Sequence, residues 1–209
     1  MAETYPLDFP TAVSIQSVEW IAKVNVGVTA SPFNYKQQVQ RGNGEKWEGI
    51  VALPPMTRET AEAFNAFRLR LRGRFGTFLL GDPNGSTPLG SASTNAGTPV
   101  VNGASQTGHE LDIDGLPASA TNYLKAGDYI QLGSGSTARL HKILENVSSN
   151  ASGEATLNIF PDLRESPDDN ATVVVSAAKG VFRIATNETS WSISKESIYS
   201  LSFPISEAL

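Results

Sequence analysis

Cysteine is absent from this 209-residue chain. That excludes disulfides, thiolate metal sites and cysteine nucleophiles. Histidine occurs only twice, so imidazole chemistry has two candidates, His109 and His141. No apolar run approaches the length of a membrane span, and membrane insertion is not expected. The opening MAETYPLDFP has neither the basic n-region nor the apolar h-region of a signal peptide, so synthesis as a soluble cytoplasmic chain is expected. Positive charge is short: 16 Lys/Arg against 21 Asp/Glu leave a net charge of -5. This gives no electrostatic case for nucleic-acid binding. What is abundant is β-favouring: Val, Ile, Thr and Ser, with 40% hydrophobic residues. That is enough for a real core and argues against global disorder.

Apolar positions from Val18 to Val28 recur at spacing two, the period of a strand, so Ser14 to Val28 reads as one long strand. Asn34 to Gln40 and Lys46 to Leu53 flank Asn43-Gly44, a hairpin signal. In the second of these runs Trp47, Gly49 and Val51 share one face. A helix over 57–72 follows, with Thr57 as its N-cap and Glu59 and Glu62 near its start. Arg68, Arg70 and Arg72 at its end complement the helix dipole. Ala61, Phe64, Phe67 and Leu71 form its apolar stripe, and Gly73 suits the C′ position. A short apolar strand, Phe75 to Leu80, ends at Gly81-Asp82-Pro83.

Residues 81–178 differ in character. Their opening is rich in turns, and short strands are expected at Glu110–Ile113, Tyr129–Leu132, Ala138–Leu144, Ala155–Ile159 and Thr172–Val175. Such spacing predicts a small antiparallel barrel or sandwich. Asp and Glu far outnumber Lys and Arg here, so the acidity of the chain lies almost wholly in this segment. Strands resume at Val181–Ala185, Ser190–Ser194 and Ile198–Ile205. The fold class expected is mainly β. A β-sandwich core with one α-helix, residues 1–80 and 179–209, is interrupted by an inserted β domain, residues 81–178.

Catalytic patterns are missing. No G-x-S-x-G elbow supports a serine triad around either histidine, and His141, in the strand-like run Arg139 to Lys142, is expected to face solvent. Asp112-Ile113-Asp114-Gly115 opens like a calcium loop but lacks the remaining ligands. Asp168-Asp169 reads as a solvated turn. Paired glycosidase carboxylates would be defined by a separation in space that no sequence feature supports. The glycines at 81, 85 and 90 carry no G-K-[ST] and precede no helix. No catalytic residue, metal site or cofactor is expected. Arg68, Arg70, Arg72 and Arg74 read as a dipole-matched helix end with a solvated face. Alternatively, they form a subunit interface pairing with acidic residues of a neighbouring copy.

The order of these elements resembles the distal tail proteins of long-tailed, non-contractile bacteriophages. The resemblance rests on Arg68 to Pro83, Ala126 to Leu132, Phe160-Pro161-Asp162-Leu163-Arg164 and Lys179 to Ile184. It implies a tail-tube-like β-sandwich forming a ring, usually of six copies, at the distal end of the tail tube in the virion. The tube protein would lie above, with hub or fibre proteins below or outside, and DNA would meet the ring only in transit. It also implies an inserted domain projecting outward, which in some members resembles an oligonucleotide/oligosaccharide-binding barrel or a carbohydrate-binding module. A receptor- or carbohydrate-binding module acting through residues 81–178 is the alternative. Tyr123, Tyr129 and Phe160 are the only aromatics there, so a sugar-stacking platform is not expected.

Overall fold

The computed structural model describes residues 3–42, 44–191, 199 and 201–209. The chain is mainly β with a single α-helix among the described residues. A six-stranded sheet carries β1 (Leu7–Asp8), β2 (Ser17–Lys23), β5 (Lys46–Ala52), β6 (Phe78–Leu80), β13 (Gly180–Ile184) and β14 (Ser202–Glu207). Their order is β1-β6-β13-β14-β5-β2. All pairs are antiparallel except β1 with β6. The strands entering and leaving residues 81–178 are direct neighbours, with Leu80 opposite Gly180.

Between them lies a second six-stranded sheet. It comprises β7 (Val100–Val101), β8 (Gly108–Asp114), β9 (Tyr129–Leu132), β10 (Arg139–Ile143), β11 (Ala155–Leu163) and β12 (Val173–Val174). Its order is β12-β9-β10-β11-β8-β7, antiparallel throughout. A bridge between Val100 and Thr172 joins its two edges, so the sheet curls into a nearly closed barrel. Leu111, Ile113, Ile130, Leu132, Ile143, Leu157 and Ile159 fill the interior, as alternation along the strands requires. Asp128 pins the entry to β9. Its carboxylate accepts from the backbone N–H of Leu89 (2.7 Å), Gly90 (3.3 Å) and Lys125 (2.8 Å).

The helix α1 (Arg58–Arg70) lays its apolar stripe on the first sheet. Ala61, Phe64, Phe67 and Leu71 are buried, as the spacing predicts. Phe64 stacks tilted against Phe203 at 5.6 Å, and Phe67 meets Phe78 edge-on at 5.8 Å. Each buried Phe or Leu contributes roughly 1.5–3 kcal/mol, several times what a terminal charge adds through the dipole. Thr57 holds the N-cap position, but its side chain makes no cap hydrogen bond; its hydroxyl lies 3.4 Å from that of Thr60. The C′ position falls to Arg72 rather than Gly73, and both are left-handed, with φ of 50° and 66°. This double reversal lets the Gly76 N–H donate to Leu71 O at 2.7 Å.

Three expectations about the strands are corrected. The long strand is two: β2 pairs with β5, whereas β3 (Val26–Ala30) leaves the sheet and pairs with β4 (Gln37–Arg41). The hairpin is therefore β3–β4, turning at Ser31 to Lys36, and β5 is not its partner. Asn43 of the supposed turn lies outside the described residues. The physical reason is burial. Trp47, Gly49 and Val51 of β5 are buried and need sheet neighbours on both sides, which β2 and β14 supply. The sequence Gln37 to Arg41 has no comparable apolar face. The expected strand Ser190–Ser194 lies outside the described residues beyond Trp191, as do positions 198 and 200 of the last expected strand. The apolar strand at Phe75 begins only at Phe78, and Phe75 itself is exposed.

Gly49 sets the spacing of β5 and β2. A Cβ there would collide with the Glu19 carbonyl oxygen, a backbone atom that no rotamer change can move aside. Gly49→Ala should therefore lower stability by about 1–3 kcal/mol, read as a shifted urea midpoint with an unchanged slope.

Candidate assembly interface

The β3–β4 hairpin is an arm. All ten of its strand residues are exposed. Residues directly opposite in an antiparallel pair share a face. Val28 lies opposite Val39 and Val26 opposite Arg41, so three valines stand together on one side with no cover. At the tip Phe33 is 95% and Tyr35 81% exposed. An isolated two-stranded ribbon is at best marginally stable in water, and a run of unpaired strand edge beside bare valines is a surface suited to a partner. Lys36 and Arg41 are the only charged residues from Val24 to Gly42, so the arm is basic while residues 81–178 are acidic.

The base of the arm is held by an ion network that also joins the two sheets. Arg41, the last residue of β4, donates to Glu45 (2.7 Å) and to Asp162 of β11 (2.9 Å). Glu45 in turn accepts from the Asp162 backbone N–H at 3.1 Å. Arg164, just beyond β11, forks onto Glu207 of β14 with bonds of 3.0 and 2.7 Å and donates through Nε to the Glu45 carbonyl at 2.9 Å. Glu207 also accepts the Trp47 N–H at 2.9 Å. The Trp47 indole N–H reaches back to the Leu140 carbonyl at 3.0 Å. The Glu207 side chain is only 2% exposed, so its charge is matched inside the protein rather than by water.

The four arginines are not brought together. Arg68 is buried, its guanidinium 5.7 Å from the centre of the Phe203 ring and donating to Ser190 O at 3.2 Å. Burial pushes it below the usual arginine range. Arg70 forks onto Glu3 at 2.9 and 2.8 Å on the surface, and each partner holds the other charged. Arg72 and Arg74 are exposed. The solvated helix end is thus corrected at Arg68 alone, which is buried; Arg70, Arg72 and Arg74 are exposed.

His141 is corrected as well. It is buried, not solvent-facing, because β10 has the barrel interior on one side and the first sheet on the other. Its Nδ1 lies 2.7 Å from the Pro161 carbonyl. A carbonyl only accepts, so Nδ1 carries the proton. Desolvation holds the imidazole neutral, its pKa pushed down to about 4. His109 is exposed on β8. Asp112 accepts the Thr156 hydroxyl, and Asp169 accepts the Gly103 N–H at 2.8 Å. Among the described residues no three His, Asp or Glu side chains are grouped to hold a metal ion, and no helix is long and apolar enough to cross a membrane.

No family model matches the chain, and no curated protein matches it.

Proposed function

We propose that this protein is a ring-forming structural adaptor at the distal end of a phage tail tube. In the virion it would join the tube to the hub and fibres of the tail tip, with DNA passing only in transit. In this reading residues 1–80 and 179–209 make the ring, and residues 81–178 project from it. The observation that carries the reading is the β3–β4 arm, which leaves Val26, Val28, Val39 and the tip aromatics Phe33 and Tyr35 bare. A neighbouring copy is the simplest cover for it, since a closed ring presents the same surface to every arm. The family resemblance of Arg68 to Pro83 and Lys179 to Ile184 supports the same assembly. The aromatics of residues 81–178 do not favour glycan stacking: Tyr123 and Tyr129 are buried and Phe160 is packed against the core of the first sheet.

The test is negative-stain electron microscopy and sedimentation of the full chain. Rings, usually of six copies, are the expected result. A Val28→Lys/Val39→Lys double variant should sediment as a monomer with its melting temperature within about 2 °C of the parent, because exposed substitutions cost little. A parent chain that stays monomeric at every concentration, alone and with tail components, would sink the reading.

A further inference from the structure

Arg68 sits on the buried face of α1 at the rim of a cavity of about 510 Å³. Thr186, Glu188, Ser190, Ser202 and Phe203 also line it. Arg68 is 3% exposed, yet among the described residues its Nε–H has no acceptor and no carboxylate pairs with it. One turn earlier Asn65, 1% exposed, leaves both its amide oxygen and its amide nitrogen unpartnered among the described residues. Buried polar groups are nearly always bonded, and a buried cation without a counter-ion is costly. Of the two, only Arg68 borders the cavity, and its Nε–H there is without an acceptor among the described residues.

We propose that this cavity is a carboxylate-binding site, filled in the assembled protein by an Asp or Glu side chain of a neighbouring copy. The guanidinium offers a planar fork of donors that matches a carboxylate, and the Phe203 ring holds it in place. The Ser190 and Ser202 hydroxyls at the cavity can donate as well, whereas that of Thr186 already donates to the Glu188 carbonyl at 3.1 Å. Glu188 on the wall opposes a ligand of higher negative charge, so a single carboxylate suits the site better than a phosphate. The neighbour has no shortage of such groups, because residues 81–178 carry the acidity of the chain. The choice of a neighbour as the source rests on the ring reading; the chemistry of the site does not.

The probe is acetate against chloride at equal ionic strength, with the full-length chain and Arg68→Lys, which keeps the charge and loses the fork. At a dilution where the chain is monomeric, acetate at ten times its Kd should raise the parent melting temperature by about 3–6 °C and leave Arg68→Lys unmoved. At higher concentration, acetate should reduce the assembled fraction of the parent, and Arg68→Lys should assemble at least tenfold more weakly. An acetate response lost in Arg68→Lys, in a parent that never assembles, supports the site with a free carboxylate as its source and defeats the ring. A parent without acetate response, and an Arg68→Lys chain that assembles normally, would overturn the proposal.

Discussion

Replacing Arg164 by Ala should lower the unfolding free energy by about 3–5 kcal/mol, the largest single-residue effect expected in this chain. The loss does not come from the attraction between Arg164 and Glu207 as such. In the parent, two charge-assisted bonds and the Trp47 N–H satisfy the Glu207 carboxylate. Without Arg164 that carboxylate stays 2% exposed by geometry and must either remain charged without a counter-ion or take up a proton. The Glu45 carbonyl loses donors as well. Chemical denaturation of Arg164→Ala, Glu207→Leu and an Arg164→Met/Glu207→Leu pair separates these terms. The pair should recover most of the loss, because apolar groups of similar volume avoid both desolvation costs. A pair as unstable as Arg164→Ala would show that the cost lies in packing and not in stranded charge.

Acid should weaken the fold in a window set by His141. Its folded pKa is depressed to about 4 from 6.5, so the unfolded chain binds the proton first. Stability is therefore fully present above about pH 6.5, falls as the pH drops towards 4, and levels off below that value as far as this group is concerned. The shift corresponds to roughly 3 kcal/mol across the window. His141→Asn keeps an N–H donor for the Pro161 carbonyl and removes the titration. Its stability should change little between pH 6.5 and 4, apart from the shallower acid dependence of the carboxylates. Equal slopes in parent and variant over that window would show that His141 gains a proton without unfolding the site.

The local elements were legible where a single face was buried. The α1 stripe and the alternation of Trp47, Gly49 and Val51 both follow from one-sided burial. The strand Tyr129–Leu132 has the bounds its sequence predicts. The hairpin was not legible, because Asn43-Gly44 is a local signal and the competing partners of β5, residues 17–23 and 202–207, are distant in sequence. His141 was misplaced for a related reason. Leu140 and His141 are both buried on opposite faces of β10, and alternation reports burial only when one face is wet. Arg68 was within reach: positions 61, 64, 68 and 71 trace one helical stripe, and the charge on the side chain concealed its place in it. The ion network joins residues from 41 to 207, so nothing in local pattern announces it.

The pairing of Leu80 with Gly180 bears on how the chain finds its fold. Taken as an open coil, the hundred residues between them would make this contact one of the slowest to form, since closing a long loop costs entropy before any pairing repays it. A barrel that has already curled shut at Val100 and Thr172 changes that count. The free chain left to close shrinks to two short stems, and a remote contact becomes a near-neighbour one. The bulkiest segment of the sequence then acts as a staple for the sheet it divides, and its loosening would slow completion of the core as well as its own folding.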